Sequence, residues 1–400
     1  MKVFVINSGS SSIKFQLIDT QTRNYIIKGI VERIGEHDSL IRWSLKEGGS
    51  YRIEQKIENH KHALDEVFKI LLDKEKGAIS SLDEIDAVGH RVVHGGEKFK
   101  SSVLIDKDVL NSIKEYSILA PLHNPANITG IEAAMELLPN VPQVAVFDTS
   151  FHANMPRRAY LYALPYEFYS EKKIRRYGFH GTSHKYITER AIELLGLDIN
   201  NSKLITCHLG NGASITAVKN GYSVDTSMGL TPLEGLVMGT RSGDMDPAIT
   251  LFLMETYGYK PEELDKIYNK KSGLLGLSGI SNDMRDIMEE MEKGNERAKI
   301  AYEVFIYRVK KYIGAYLAVL NGADAIIFTA GIGENNAHIR EDICRNLEFF
   351  GIKIDKEKNE QANGKEVIIS TDDSKVKVLV IPTNEELKIA LETENIVENR

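Results

Sequence analysis

The chain has 400 residues, more than one hydrophobic core usually serves, so two domains are expected. Apolar residues make up 42% and charged residues 27%, as in soluble globular proteins, and a formal net charge of −7 argues against nucleic acid as the main partner. Two cysteines argue against a disulfide framework, four apolar residues after Lys2 are too few for a signal segment, and no apolar run approaches the ~20 residues of a membrane span, so the chain reads as cytoplasmic.

In chain order, the first element is a strand at Val3 to Ile6. It runs into the turn Asn7-Ser8-Gly9-Ser10-Ser11-Ser12 and out along a second strand, Ile13 to Asp19. Backbone N–H groups and hydroxyls of such a turn can point at one anion, with Lys14 adding charge. The same residues also make ordinary surface turns, and on this stretch alone both readings stand. Next, His90-Arg91-Val92-Val93-His94-Gly95-Gly96 follows a strand end. A buried strand, Ala145-Val146-Phe147, ends at Asp148, which can hold a metal, accept a proton or cap the next segment. The densest stretch is Arg175 to His184. His180 and His184 are four apart, but Gly181 stands where a zinc HExxH motif needs Glu, so zinc is disfavoured. His180 sits in a glycine-flanked turn, as either a ligand donor or a structural histidine.

Residues 204–218, LITCHLGNGASITAV, repeat the opening layout of strand, small polar turn and strand, with the turn at His208 to Gly212. Arg241 lies in a glycine-rich loop, Gly239 to Asp244, where a planar guanidinium suits a carboxylate or phosphate. Tyr302, Ile306, Val309, Ile313, Tyr316 and Leu320 form one apolar face of a helix that Asn321-Gly322 closes. The strand Ala325 to Phe328 ends at Thr329 to Asn335. The strand Val376 to Ile381 ends at Pro382 to Glu386. In open α/β sheets ligands bind beyond the carboxyl ends of strands, so these ends are candidate site edges. No G-x-x-x-x-G-K-[ST] is present, and Gly331-Ile332-Gly333 lacks the third glycine of a dinucleotide fingerprint. ATP, if bound, is therefore held by paired hairpins. The two hairpins imply two related α/β domains facing each other across a nucleotide, with hinges near residues 150 and 385. Two anion cradles, two loop arginines, a loop histidine and two strand-end acids, Asp148 and Glu385, meet the needs of phosphoryl transfer.

NSGSSSIKF (7–15) and RRYGFHGTSHKY (175–186) resemble the two signature stretches of the acetate kinase family. HRVVHGG, PLHNP (121–125), FDTSFH (147–152), HLGNGAS, DTSMGLTPLEG (225–235), GTRSGDMDP (239–247) and GIGEN follow the family pattern in order, so the resemblance spans essentially the full chain. It implies an α/β fold of two similar actin-like ATPase domains with a nucleotide cleft between them. The first would comprise 1–150 plus 386–400. The second, 151–385, would carry most of the nucleotide site. The implied reaction is ATP + acetate ⇌ ADP + acetyl phosphate, with Mg²⁺, or Mn²⁺ in its place. The implied state is a homodimer without nucleic-acid or membrane partners.

Residue by residue, the resemblance places Asn7 and Glu385 at the metal, and Ser10, Ser12 and Lys14 near the nucleotide phosphates. His208, Leu209, Gly210, Asn211 and Gly212 form the second phosphate hairpin. Asp283, Met284 and Arg285, with Gly331, Ile332, Gly333, Glu334 and Asn335, would hold adenosine and its ribose. Arg91 and Arg241 would bind the carboxylate and the transferring phosphoryl group, with His180 stabilising the transition state and His123 nearby. Val93, Leu122, Phe179 and Pro232 would enclose the methyl group. Asp148 would be the essential acid. Acetate is already ionised at neutral pH, so an orienting role toward Arg91 or the metal fits better than the family's usual proton donor or acceptor. Ser8 stands where Ala or Cys is common, without evident consequence. Butyrate kinase differs in both hairpins. Propionate kinase differs by one methylene in an apolar pocket, worth ~1–3 kcal/mol, and stays open. A non-catalytic ATP-driven clamp, the rival from another class, would not need two loop arginines and a histidine on one anion.

Overall fold

A computed structural model describes residues 1–121 and 123–399, and it divides into two compact units, Met1–Ala153 with Asn384–Arg400 and Asn154–Thr383. Unit one carries β1 (Lys2–Ser8), β2 (Ser12–Asp19), β3 (Asn24–Glu32), β4 (Leu40–Leu45), β5 (Ser50–Glu54), β6 (Ala87–Val92), β7 (Val103–Leu104) and β8 (Gln143–Phe147). They form one sheet in the order β5-β4-β3-β2-β1-β6-β8-β7. The antiparallel part follows a period of two: β2 buries Ile13, Phe15 and Leu17 and turns Lys14 outward. The parallel strands β1, β6 and β8 are instead buried almost throughout, as strands covered on both faces must be. Phe4 and Ile6 of β1 share a core with Leu64 and Val67 of the His60–Leu71 helix and Ala133 and Ala134 of the Asn124–Leu137 helix. The Glu385–Glu398 helix seats Ile389 and Thr393 against Gly89 of β6, where a Cβ would meet Thr393 Oγ1 at 2.5 Å.

Unit two carries β9 (Lys203–Leu209), β10 (Ala213–Lys219), β11 (Tyr222–Thr226), β12 (Ala325–Thr329), β13 (Val367–Ile368) and β14 (Lys377–Val380), in the order β11-β10-β9-β12-β14-β13. This is the β3-β2-β1-β6-β8-β7 arrangement again, strand for strand. A three-stranded antiparallel meander is followed by two parallel strands and an antiparallel edge in both sheets. The duplication read from the two hairpins thus extends to whole sheets. Both three-residue turns open on a glycine whose N–H closes the turn: Gly9 N–H donates to Ser12 O (2.8 Å) and Gly210 N–H to Gly212 O (3.1 Å), one residue shorter in span.

The predicted helix is the central part of Glu296–Leu320; all six residues of its apolar face are buried, and it ends at Asn321 (φ 53°) and Gly322 (φ 90°). One expectation is corrected. Arg91 lies within β6 rather than beyond its end. Residues 330–335, to which no element was assigned, are the helix Ala330–Asn335, held by the side chain of Glu334 as described below. Among the described residues, no helix is long and apolar enough to cross a membrane.

Candidate functional site

In unit one, three predicted residues meet at the carboxyl ends of the adjacent parallel strands. Asn7 is the penultimate residue of β1, Arg91 that of β6, and Asp148 directly follows β8. Arg91 Nε and Nη2 both donate to Asp148 Oδ2, at 3.0 and 2.5 Å, and Nη1 donates to Asn7 Oδ1 at 3.3 Å. Asp148 is 2% exposed, and Arg91 supplies a cation beside it. Burial opposes the Arg91 charge, but Asp148 and Glu385 more than restore it, and its pKa is raised. Glu385 opens the Glu385–Glu398 helix, half-buried. Desolvation raises its pKa; Arg91 opposes this, and the charges of Asp148 and Glu386 add to it. Lys14 faces Asn7 across the β1–β2 ladder and is exposed, Ser10 is exposed in the turn, and Ser12 is half-buried at the start of β2. Val93 is buried just past β6, and His123 takes the N-cap position of the Asn124–Leu137 helix. Leu122 lies outside the described residues.

In unit two, Phe179 is buried and His180 sits in the left-handed region (φ 54°), presented at the N-terminus of the Gly181–Leu195 helix. Its ring stacks on His208, with centroids 4.1 Å apart. His180 Nδ1 lies 2.9 Å from Ser214 Oγ, which lies 2.8 Å from His184 Nε2; His184 Nδ1 lies 2.7 Å from Thr206 Oγ1. Thr206 Oγ1 donates to the Thr216 carbonyl (3.5 Å) and so accepts from His184 Nδ1–H. Ser214 Oγ therefore bridges the two rings. Nε2 of His180 is then the nitrogen turned toward Gly212, and in the imidazolium it is a donor. A Cβ on Gly212 would lie 3.4 Å from that Nε2 and 3.6 Å from Arg241 Nη1, so the hairpin turn, His180 and Arg241 converge.

Arg241 donates to the Pro232 carbonyl (3.0 Å) and touches Met238 Sδ (3.6 Å); among the described residues no carboxylate pairs with it. Burial lowers its pKa. The guanidinium is half-buried, and a partly desolvated cation without an anion gains from binding one. The loop that carries Arg241 and the half-buried Pro232 is held by residues the sequence reading missed. Arg176 donates to the carbonyls of Thr226, Ser227 and Met228 (2.8, 3.0 and 3.1 Å) and to Glu234 (2.6 Å), which also accepts from Tyr162 (2.5 Å). Asp244 accepts from Gly235 N (2.8 Å) and Tyr312 (2.7 Å).

A cavity of about 450 Å³ opens beside the β9–β10 turn, a size suited to a nucleoside. Gly210, Asn211, Asp283, Met284, Arg285, Gly331, Ile332 and Asn335 line it as predicted, joined by Asn282 and Asn336, which were not. Asn282 Nδ2 donates to Asn211 Oδ1 at 2.9 Å. Gly333 and Glu334 do not line it. Gly333 packs toward Phe328 and Leu209, whose own side chain is fully buried, leaving Leu209 only its backbone to offer a ligand. Glu334 Oε1 accepts from Ala330 N, Thr329 Oγ1 and Thr383 N (2.8, 3.1 and 3.0 Å), fixing Ala330 at φ 63°. A larger groove, about 580 Å³, lies over β2–β5, but its Arg42 and Arg52 are paired with Glu32 and Glu54.

The sequence profile of the acetokinase family matches residues 2–391. The chain belongs to the acetokinase family. It is 60% identical over 400 residues to an acetate kinase of Thermotoga maritima, covering 100% of this chain and 99% of that protein. Among solved structures, that of Porphyromonas gingivalis acetate kinase superposes with a TM-score of 0.96 at 48% identity, covering 99% of each chain. A propionate kinase from Francisella tularensis superposes at 0.91 with 44% identity, again covering 99% of each chain. The acetokinase fold accounts for the paired sheets, so the expected two-domain α/β class is the one observed.

Proposed function

We propose that the protein is an acetate kinase, transferring the γ-phosphoryl group of ATP to acetate by direct in-line displacement. The observation that carries this reading is Arg241, a half-buried cation with no carboxylate partner among the described residues, set beside a loop histidine and a glycine turn. The cavity lined by Asp283 to Arg285 and Gly331, Ile332 and Asn335 would take adenosine, and the two hairpin turns the phosphates. Arg241 and Arg91 would hold the carboxylate and the transferring group, and His180 Nε2–H would donate to the charge that builds on it. Asp148 would orient Arg91, as its two-pronged contact supports, rather than take a proton. Val93, Phe179 and Pro232 would form the apolar wall against the methyl group.

The donor set also fits a divalent cation. Asp148, Glu385 and Glu386 bring carboxylates, with burial first and the two neighbouring charges after it raising the Glu385 pKa, and Asn7 adds a neutral oxygen; these are hard ligands of the kind Mg²⁺ takes. Asn7 and Glu385 would hold Mg²⁺ or Mn²⁺, which would offset charge on the phosphate oxygens. A homodimer in the cytoplasm, with no nucleic-acid or membrane partner, completes the reading. In its support, the Ala248–Tyr257 helix buries no residue and exposes Leu251 (59%) and Phe252 (56%), an apolar face suited to a second copy.

The test is a hydroxylamine trap for acyl phosphate with Mg-ATP and acetate, propionate or butyrate. Acetyl hydroxamate formed at the highest kcat/KM supports the reading. A preference for propionate would move the substrate, and ATP hydrolysis without trapped product would overturn the kinase.

A further inference from the structure

The Asn124–Leu137 helix turns two buried asparagines, three residues apart, toward the chain that leaves β6. Asn124 accepts from His94 N (3.1 Å) and donates to His94 O (3.0 Å), standing in for a strand neighbour. Asn127 does something different. Its Oδ1 accepts from Val93 N (3.1 Å), and its Nδ2 donates to the Ser8 carbonyl (2.7 Å). One partner is a donor and the other an acceptor, so both are satisfied only by a side chain carrying both functions in a fixed orientation. Aspartate would lack the donor and leucine both. One turn further on, Gly130 presses on the same spot: a Cβ there would lie 2.7 Å from Ser8 Cβ and Oγ. The helix therefore grips the base of the β1–β2 hairpin at Asn127 and Gly130, and the Val93 backbone at Asn127.

We propose that Asn127 is a positioning residue that couples the Gly9–Ser12 phosphate hairpin to the Val93 wall of the acid site, so that one amide sets the affinity for both substrates. This rests on the kinase reading above. Asn127 touches neither substrate. It fixes the height of Ser8, from which the hairpin turn starts, and the depth of Val93, against which the methyl group would pack. Gly130 acts on the hairpin alone.

Two variants separate the arms. Asn127→Ala leaves a buried N–H and a buried carbonyl without this partner, and each loss is expected to raise a KM about tenfold, for ATP and for acetate alike. Gly130→Ala adds a methyl that must displace Ser8, while alanine is the better helix former, so the helix itself is not weakened. It is expected to raise the KM for ATP about tenfold and to leave the KM for acetate within about twofold. Amide hydrogen exchange, which needs no turnover, should show faster exchange at both the Gly9–Ser12 turn and Val93 in Asn127→Ala, and at the turn alone in Gly130→Ala. Failure of the wild type to make acyl hydroxamate would reject the kinase reading, with exchange still deciding the link. The coupling is overturned if folded Asn127→Ala shifts exchange at only one of the two segments. It is equally overturned if Gly130→Ala moves both KM values together. Should Asn127→Ala not fold, Asn127→Asp, which keeps the acceptor for Val93 N and loses the donor to the Ser8 carbonyl, decides: faster exchange at the Gly9–Ser12 turn with Val93 unchanged is expected, and an unchanged turn overturns the link.

Discussion

Replacing Ser214 by alanine removes the hydroxyl that joins His180 to His184, and its effect can be worked from the contacts. Ser214 is fully buried on β10, and its Oγ meets His180 Nδ1 at 2.9 Å and His184 Nε2 at 2.8 Å. A buried imidazole nitrogen that loses such a partner costs about 1–3 kcal/mol; His184 is buried and His180 half-buried, so unfolding should become easier by at least about 1 and at most about 6 kcal/mol. The effect on rate is separate. Losing one oriented donor to a transition state costs at most about 10²–10³ in kcat. The His180 ring would still stack on His208, so a smaller loss of about 10- to 100-fold is expected. The nucleotide cavity does not include Ser214, so the KM for ATP should stay within about twofold. Steady-state ADP release, checked by the hydroxamate trap, measures both constants. A kcat within twofold of wild type, or an equal loss in ATP affinity, would refute the idea that Ser214 sets His180 for catalysis.

Gly212→Ala should fold normally, because its Cβ would make ordinary contacts at 3.4 and 3.6 Å, yet lose about 10² in kcat by occupying the point where His180 and Arg241 converge; wild-type turnover would contradict the placement. Glu234→Gln removes the charge opposite Arg176, a guanidinium whose charge survives burial mainly because of that carboxylate. It should lower the free energy of denaturant unfolding by about 1–3 kcal/mol and also reduce kcat, since the same loop carries Arg241; loss of stability with unchanged kcat would separate the clamp from the site. His90 is buried, hydrogen-bonded to Gln143 at 2.7 Å, and held at a pKa of about 4, below the ordinary 6.5, because burial outweighs that bond. The unfolded chain then binds the proton more tightly, so this contribution is whole above pH 6.5 and lost as pH falls toward 4, about 3 kcal/mol in total. Denaturant midpoints should fall over that window in the wild type and less steeply in His90→Gln; parallel slopes would refute the assignment.

Local patterns made much of the fold legible. The hairpins at Asn7 and His208 announced a duplication because alternation in a half-buried strand and small residues in a turn are short-range signals. The helix at Glu296–Leu320 was legible for the same reason, its apolar face recurring every three to four residues. The Ala330–Asn335 helix was not. Six residues with two glycines show no helical period, and the helix is fixed by Glu334 reaching Thr383, forty-nine residues away in sequence. Asn127 was passed over, and Arg176, although inside the stretch 175–186, was given no role, for a related reason: their partners lie in distant segments and are largely backbone atoms, which no spacing rule reports. Asn282 and Asn336 line the cavity beside residues that were identified, but a lone asparagine carries no motif. At Arg91, Asp148 and Arg241 the residue type and the strand-end or loop setting were enough to mark candidates. That Asp148 would be spent on Arg91, and that Arg241 would be left without a carboxylate, took the structure to see.

The central claim is that Arg241 is kept without a carboxylate partner among the described residues in order to hold the reacting anion. The measurement that tests it most directly is acetyl hydroxamate formation from Mg-ATP and acetate by the wild type and by Arg241→Ala, with ADP binding followed by calorimetry in both. The account predicts product from the wild type, at least 10²-fold less from the variant, and similar ADP affinity, since Arg241 does not line the nucleoside cavity. Undiminished hydroxamate from Arg241→Ala, or its loss together with ADP binding, would contradict it.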